Sequence, residues 1–286
     1  MKNILGIIAS PRKSGNCEIM VKEVSRHVDQ PHQLNLLRLA DLKILPCQGC
    51  YRCLFKSCML KDDFSVLTEA LLAADAFIVA APTYFLSANA LLKLALDRSM
   101  ALHAHLERMW AKPSVGIAIA GLKGKEGQAL LDVQKFLKLM LTDTKAGAVV
   151  YGALPGEVFM DDGNKAVAAD LGRRLFASET EAPEAPCCPL CGGDTFRFID
   201  ASRVRCMLCS NVGLWDGQNG RIEFRIEKSE SDFFLTKAGA IAHQNWLRGM
   251  KSHFIENKDR LAGIVKDYQQ EGIWIKPSKP GDNGES

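Results

Sequence analysis

Asn3-Ile-Leu-Gly-Ile-Ile-Ala-Ser-Pro-Arg-Lys-Ser-Gly-Asn-Cys17 opens the chain with an apolar run of strand length, then a short turn of small and hydroxyl residues. Behind the turn, Met20, Val24 and Val28 recur at helical spacing. Strand, tight turn and helix in that order form the first half of a βαβ unit and imply a parallel sheet. In the turn, backbone N–H groups and the positive end of the helix converge on one anion, with Ser10, Ser14 and Asn16 adding side-chain donors. The octapeptide 10–17 is neither a Walker-type loop nor a G-x-G-x-x-G turn, so it suits a single terminal phosphate rather than a triphosphate or a dinucleotide pyrophosphate. An ordinary helix N-cap supplied by Ser14 or Asn16 accounts for the same residues.

Outward from this unit, strand-length runs at 33–39, 76–81, 114–120 and 146–152 alternate with helical patterns. The helices are marked by Val66, Leu67, Ala70, Leu71 and Ala74, by Leu91, Leu94 and Ala95, and by Leu130, Val133, Leu137 and Leu141. Five strands with flanking helices predict an α/β, flavodoxin-like parallel sheet of order 2-1-3-4-5 over residues 1–177. Residues 178–186 are acidic and proline-bearing and read as a linker. A cysteine-paired module follows over 187–227, then a helical segment over 228–270, with its helix running from Phe233 to Gln270, and a tail over 271–286 predicted to be disordered. Trp246, Met250, Phe254, Leu261, Val265 and Tyr268 supply the helical segment's apolar spacing.

A net charge of +3 with 24% charged residues gives no electrostatic case for nucleic acid or an anionic membrane. The N-terminal apolar run is too short for a secretory leader and no stretch approaches a membrane span, so a cytoplasmic location is expected. In a reducing compartment the ten cysteines are read as metal ligands before disulfides, and nine of them fall in two clusters.

Cys47, Cys50, Cys53 and Cys58 give C-x2-C-x2-C-x4-C. Two-residue gaps let successive thiolates wrap a polynuclear centre, and four ligands suffice for a 4Fe-4S cluster; a zinc site or vacant reduced thiols are the alternatives. Cys188 with Cys191 and Cys206 with Cys209 form two C-x2-C knuckles separated by 14 residues. That spacing predicts a small ribbon held by a four-thiolate zinc, with a lone redox iron as the alternative and Cys187 as a spare thiol. The arginines of this module, 197, 203, 205 and 221, are too few beside its acids to predict a nucleic-acid partner, which favours a docking module or a structural cap.

Ser10-Pro-Arg-x-x-Gly-Asn resembles the phosphate loop of the NADPH-dependent FMN reductase family, with Cys17 standing where a hydroxyl residue is usual. The segment Ala81-Pro-Thr-Tyr-Phe85 and the stretch from Ser87 to Leu96-Asp97-Arg98 are similar to the same family, and Gly121 begins a loop like its Gly-rich flavin-edge loop. The resemblance implies FMN held by Ser10, Arg12, Ser14, Gly15, Asn16, Cys17, Pro82, Thr83, Tyr84, Phe85 and Gly121. The loops after strands 1 and 3 meet at the topological switch point of such a sheet, which is where a ligand belongs. Core packing of Tyr84 and Phe85 and a plain flexible turn at Gly121 are the bland readings.

The first cysteine cluster, followed by Asp62-Asp63-Phe64, is similar to the iron-sulfur flavoproteins, a branch of that family. This implies an oxidoreductase passing electrons between a 4Fe-4S cluster and FMN, in a homo-oligomer (dimer or tetramer), with a ferredoxin-like donor or NAD(P)H. No acid or base catalyst is assigned, because the cofactor carries the redox chemistry. A flavin or quinone reductase without the cluster and a non-catalytic flavin-binding redox sensor are the other readings. His103 and His105 sit two apart and do not share a helix face, so no metal pair is expected there, and they, His243 and His253 are read as surface histidines.

Overall fold

The computed structural model describes residues 1–178, 185–218, 221–229 and 234–275. The first part runs β1 (Lys2–Ile8), α1 (Asn16–Arg26), β2 (His32–Arg38), α2 (Phe64–Ala73), β3 (Ala76–Tyr84), β4 (Ser87–Ala88), α3 (Ala90–Asp97), α4 (Leu106–Met109), β5 (Lys112–Ala120), α5 (Ala129–Leu139), β6 (Thr142–Tyr151) and α6 (Asp162–Arg174). The long strands are parallel in the order β2-β1-β3-β5-β6, and the two-residue β4 folds back antiparallel on β3. Counting the long strands alone, the order is 2-1-3-4-5, and the fold is flavodoxin-like.

Successive side chains of a strand point to opposite faces, so each central strand feeds two cores. Leu5 and Ile7 of β1 join Phe77 and Val79 of β3 on one face, under α2, α3 and α5. Ile4 and Ile8 join Ile78, Val115, Ile117 and Val150 on the other, under α1 and α6. Residues 76–81 of β3 are all buried, which is why this stretch reads as an unbroken apolar run. Each large aliphatic side chain so buried contributes about 1.5–3 kcal/mol.

The second part holds β7 (Phe196–Phe198), β8 (Arg203–Cys206), β9 (Val212–Gln218) and β10 (Arg221–Ile226) in an antiparallel sheet of order β10-β9-β8-β7. Phe196 and Phe224 stack at 3.7 Å between centroids, and Val204, Ile226 and the knuckle cysteines complete a small core. The helices α7 (Lys237–Glu256) and α8 (Lys258–Tyr268) follow, so the single helix expected from 233 to 270 is two, parted at Asn257. Five of the six apolar positions that marked this segment do not face inward. Trp246, Phe254, Leu261, Val265 and Tyr268 are exposed, whereas Ala240, Gln244 and Leu247 are buried against the first part.

Phe234 and Ala240 enter the core cluster of α2, α3 and α5, and Gln244 Nε2 donates to the His103 carbonyl at 2.8 Å. Lys237 pairs with Glu107 at 2.6 Å. His103 is therefore buried rather than on the surface: its ring meets Phe234 edge-on at 5.7 Å and lies 6.2 Å from His243. Local spacing could not show this, because the covering residues come from a helix some 140 positions away. Most of the expected linker, residues 179–184, Phe233 at the expected helix start, and most of the expected tail, residues 276–286, lie outside the described residues. Among the described residues no helix is long and apolar enough to cross a membrane.

Candidate functional site

The carboxyl ends of β1, β3, β5 and β6 open into a cleft of about 180 Å³ lined by Ser10, Arg12, Asn16, Cys17, Pro82, Thr83, Tyr84, Ile119, Gly121, Gly152 and Ala153. Eight of these were singled out in the sequence; Ser14, Gly15 and Phe85 stand outside this lining. Ile119, Gly152 and Ala153 were not anticipated. The rule that ligands sit beyond the carboxyl ends of the strands, carried on to the fourth and fifth long strands, would have found them.

The helix end at this cleft is built to receive an anion. α1 begins at Asn16, and its N-cap, Gly15, makes no side-chain capping bond, so the first-turn N–H groups are left for a ligand. The Asn16 side chain, expected to donate to the anion, is engaged within the protein instead. Asn16 Nδ2 donates to the Gly152 carbonyl at 2.8 Å and its Oδ1 accepts the Gly156 N–H at 2.9 Å, pinning the loop after β6 to the loop after β1. Ser14, at φ 53°, gives its backbone N–H to Glu18 Oε2 at 2.9 Å. Arg12 Nη1 reaches the Ala153 carbonyl at 2.7 Å.

A carboxylate beneath an anion site would repel its ligand, but Glu18 is neutralised by Lys22 at 2.7 Å and Arg38 at 2.6 Å. Lys22, the Ser14 N–H and Arg38 hold its carboxyl at about 2, against the upward push of burial. Cys17 goes the other way: burial pushes its thiol up to about 12, so it stays protonated beside the cleft.

At the cleft's other wall Thr83 Oγ1 is buried without a hydrogen-bond partner, which is costly unless a bound polar group completes it. Beyond it, Phe85 and Leu86 join β3 to β4 in a two-residue turn with φ of 50° and 65°. Positive φ at both positions is the requirement of a type I′ turn, usually met by Asn-Gly. Here it is imposed on two bulky residues, both exposed, and the Leu86 carbonyl is fixed by the Gln128 N–H at 2.8 Å. An orphaned hydroxyl, uncapped helix donors and a concave strand edge together fit a phosphate-bearing, partly polar ring ligand such as FMN.

Cys47, Cys50, Cys53 and Cys58 line a second cavity together with Tyr51, Met59, Leu60, Arg98, Met100 and Ala101. The long loop between β2 and α2 that carries them is closed at its base by two acids. Asp63 accepts the Lys43 N–H at 2.8 Å, and Asp62 accepts the Leu45 N–H at 2.9 Å and the Phe64 N–H at 3.3 Å. Gly49 and Tyr51 take left-handed φ of 62° and 57°, letting the chain curl round the cavity. The Gly49 N–H donates to Cys47 Sγ at 3.5 Å. Burial raises the Cys53 pKa, and Cys58, Cys47 and Cys50 raise it further, so its thiolate is disfavoured there without a compensating positive charge. The donor set therefore fits a thiolate-bound metal centre.

In the small sheet, Cys188, Cys191, Cys206 and Cys209 bring all their sulfurs within 4.8 Å of one another and can hold a metal ion. The two knuckles are built alike. The Cys188 carbonyl accepts the Gly192 N–H and the Cys206 carbonyl accepts the Ser210 N–H, each at 2.9 Å, with Gly192 and Ser210 both at positive φ. Cys187 is not in the group.

The family model described as NADPH-dependent FMN reductase matches residues 2–152. An iron-sulfur flavoprotein of Archaeoglobus fulgidus is 30% identical over 173 residues, covering 60% of this chain and 77% of that protein. An iron-sulfur flavoprotein of Methanocaldococcus jannaschii is 28% identical over 185 residues, covering 60% of this chain and 94% of the other. Among solved structures, a flavone reductase superposes with a TM-score of 0.76 at 18% identity, over 96% of this chain and all of that one; the likeness shows the fold.

Proposed function

The chain belongs to the NADPH-dependent FMN reductase family and is a flavin-dependent oxidoreductase, and from that premise we propose that it joins FMN in the cleft to a 4Fe-4S cluster on Cys47, Cys50, Cys53 and Cys58. The observation that carries the FMN reading is the cleft itself, where an uncapped α1 and the unpartnered Thr83 hydroxyl face one space. The N–H groups of the first turn of α1 with Ser10 and Arg12 would hold the phosphate, and residues 82–85 with Gly121 would hold the ring. FMN supplies the exchange between two-electron and one-electron steps. The chain's own residues bind and orient it, and none moves a proton in this reading.

For the cluster, the support is the C-x2-C-x2-C-x4-C spacing, the four thiols on one cavity and the names of the relatives. For Cys188, Cys191, Cys206 and Cys209 we assign zinc with a structural role. A tetrahedral ion with Zn–S bonds of about 2.3 Å sets its sulfurs about 3.8 Å apart. The edges Cys188–Cys209 and Cys191–Cys206 measure 3.8 and 3.5 Å. The exposed apolar rim of Phe85, Leu86, Leu122 and Leu154 supports self-association, and NAD(P)H or a ferredoxin-like carrier is the proposed electron donor.

Flavin and metal analysis of anaerobically purified protein tests the whole reading. One FMN, about four irons and one zinc per chain are expected. Flavin without iron, bleached rapidly by NADPH alone, would replace the cluster reading with a plain flavin reductase. Absence of flavin after incubation with FMN would remove the cleft assignment.

A further inference from the structure

At the floor of the cysteine loop lies a charge that neither the spacing nor the fold demands. Arg98 ends α3, and its side chain is only 3% exposed. Its guanidinium forms an ion pair with Asp62, whose side chain is 2% exposed. It donates from Nη1 to the Leu45 carbonyl at 2.8 Å and from Nη2 to Cys58 Sγ at 3.5 Å, and it lies 4.6 Å over the Phe64 ring. Five donors in a rigid planar fork let one arginine serve a carbonyl, a carboxylate and a sulfur together, in a spread that a lysine's compact ammonium does not reproduce.

The pair is a poor device for stability alone, because the desolvation of two buried charges commonly cancels their attraction and an apolar pair would serve as well. What an apolar pair cannot do is bring a permanent positive charge and an N–H to a ligand sulfur. Hydrogen bonds to the cysteine sulfurs and nearby charge are the means by which a protein sets the potential of an iron-sulfur centre. The Asp62 carboxylate accepts from the same guanidinium, so the pair is a dipole whose positive arm reaches Cys58.

Resting on the assignment of Cys47, Cys50, Cys53 and Cys58 as cluster ligands, we propose that Arg98 is a positioning residue that sets the reduction potential of that cluster, with Asp62 as its counterweight. On reduction the cluster gains one electron and one unit of negative charge, with no bond made or broken. The Arg98 charge and its N–H to Cys58 favour that more negative state, and the Asp62 carboxylate opposes it. Removing the two residues therefore shifts the potential in opposite directions, which a purely structural ion pair would not do.

The test is an anaerobic dithionite titration of the full-length, iron-loaded protein, followed by electron paramagnetic resonance for the cluster and visible absorption for the flavin. Dithionite supplies the electron. In Arg98→Met the reduced-to-oxidised ratio of the cluster at a fixed solution potential is expected to fall at least tenfold, a shift of about 59 mV for a one-electron couple. In Asp62→Asn, where the amide oxygen still accepts N–H groups, the ratio rises, and Arg98→Lys falls between Arg98→Met and the parent. The flavin potential stays within a twofold ratio throughout. A cluster potential unmoved in Arg98→Met with full iron content, or shifts of the same sign in Arg98→Met and Asp62→Asn, overturn the proposal. If Arg98→Met takes up no iron, Arg98→Lys and Asp62→Asn decide it by the same opposition of sign. Iron analysis of the parent protein comes first: absence of iron there defeats the cluster assignment itself, whereas iron present with unmoved potentials defeats only the role of Arg98.

Discussion

Substituting Gly152→Ala separates the geometry of the cleft from the mere presence of its residues. A Cβ built at Gly152 falls 2.7 Å from the Val158 nitrogen, 2.9 Å from Val158 Cα and 3.2 Å from Asn16 Nδ2. Two of the three are backbone atoms, which cannot swing aside as a side chain would. To restore ordinary contact at 3.4 Å the segment at Val158 must retreat by about 0.7 Å, or Gly152 must move into the cleft. Overpacking of this kind costs about 1–3 kcal/mol. Either movement pulls on Asn16, whose side chain bridges Gly152 and Gly156 and whose backbone N–H opens α1. If about 2 kcal/mol falls on the bound arrangement, the Kd for FMN rises about thirtyfold. Quenching of FMN fluorescence on titration into apoprotein measures this, with circular dichroism to show that the sheet is intact. A folded Gly152→Ala variant binding FMN within threefold of the parent would refute the placement of the phosphate between the loops after β1 and β6.

Three further outcomes follow from the packing. Burial, with the charges of His243 and Arg248, holds the His103 imidazole at about 4, below its ordinary 6.5. The unfolded chain therefore binds the proton more readily between those values, and stability falls as pH drops from 6.5 towards 4. His103→Phe should flatten that limb of the thermal midpoint against pH, and an unchanged slope would show that His103 does not titrate on unfolding. Cys17, 2% exposed with its thiol at about 12, should escape iodoacetamide at pH 8 in the native apoprotein while exposed Cys47 and Cys50 are modified; peptide mass mapping reads the order. Gly249 lies inside α7 with nothing within 4 Å of an added Cβ, so Gly249→Ala should stabilise the helix by about 0.8–1 kcal/mol in chemical denaturation. A loss of stability there would mean that the site is not an open helical one.

The sheet was legible because a parallel strand buried on both faces leaves a continuous apolar run, as β1, β3 and β5 do, whereas β2 at the sheet's edge holds no fully buried residue. The last strand begins earlier than the run suggests, at Thr142 rather than 146, since its polar first residues pair at the sheet's margin. α6 passed unnoticed for the opposite reason. Of its inward residues Asn164, Ala168, Leu171 and Gly172 only Leu171 is large and apolar, too little to mark a helical face, and Gly172 lets α6 lie close on α1. In α7 the large apolar residues misled, because the helix docks through Ala240, Gln244 and Leu247 and leaves Trp246 and Phe254 outward. The cysteine spacing identified the metal-competent group of Cys188, Cys191, Cys206 and Cys209 directly, since spacing is what lets thiolates converge. Arg98 was visible only as the end of a resembling motif. Its partners Asp62, Cys58 and Leu45 stand 36, 40 and 53 positions away, and no local pattern encodes contacts at that range.

The turn at Phe85 and Leu86 sets a limit on how this chain may be redesigned. Any scheme that scores sequences by backbone preference would write Asn-Gly there, relieving strain on the order of 1–2 kcal/mol per residue and removing two exposed apolar side chains. The stabilised variant would have lost the apolar lip beside the cleft while its circular dichroism and melting curve improved. Selection by thermal stability alone would thus enrich the very substitutions that blunt the site, and a library built on this scaffold should hold residues 85 and 86 fixed until flavin retention is scored alongside it.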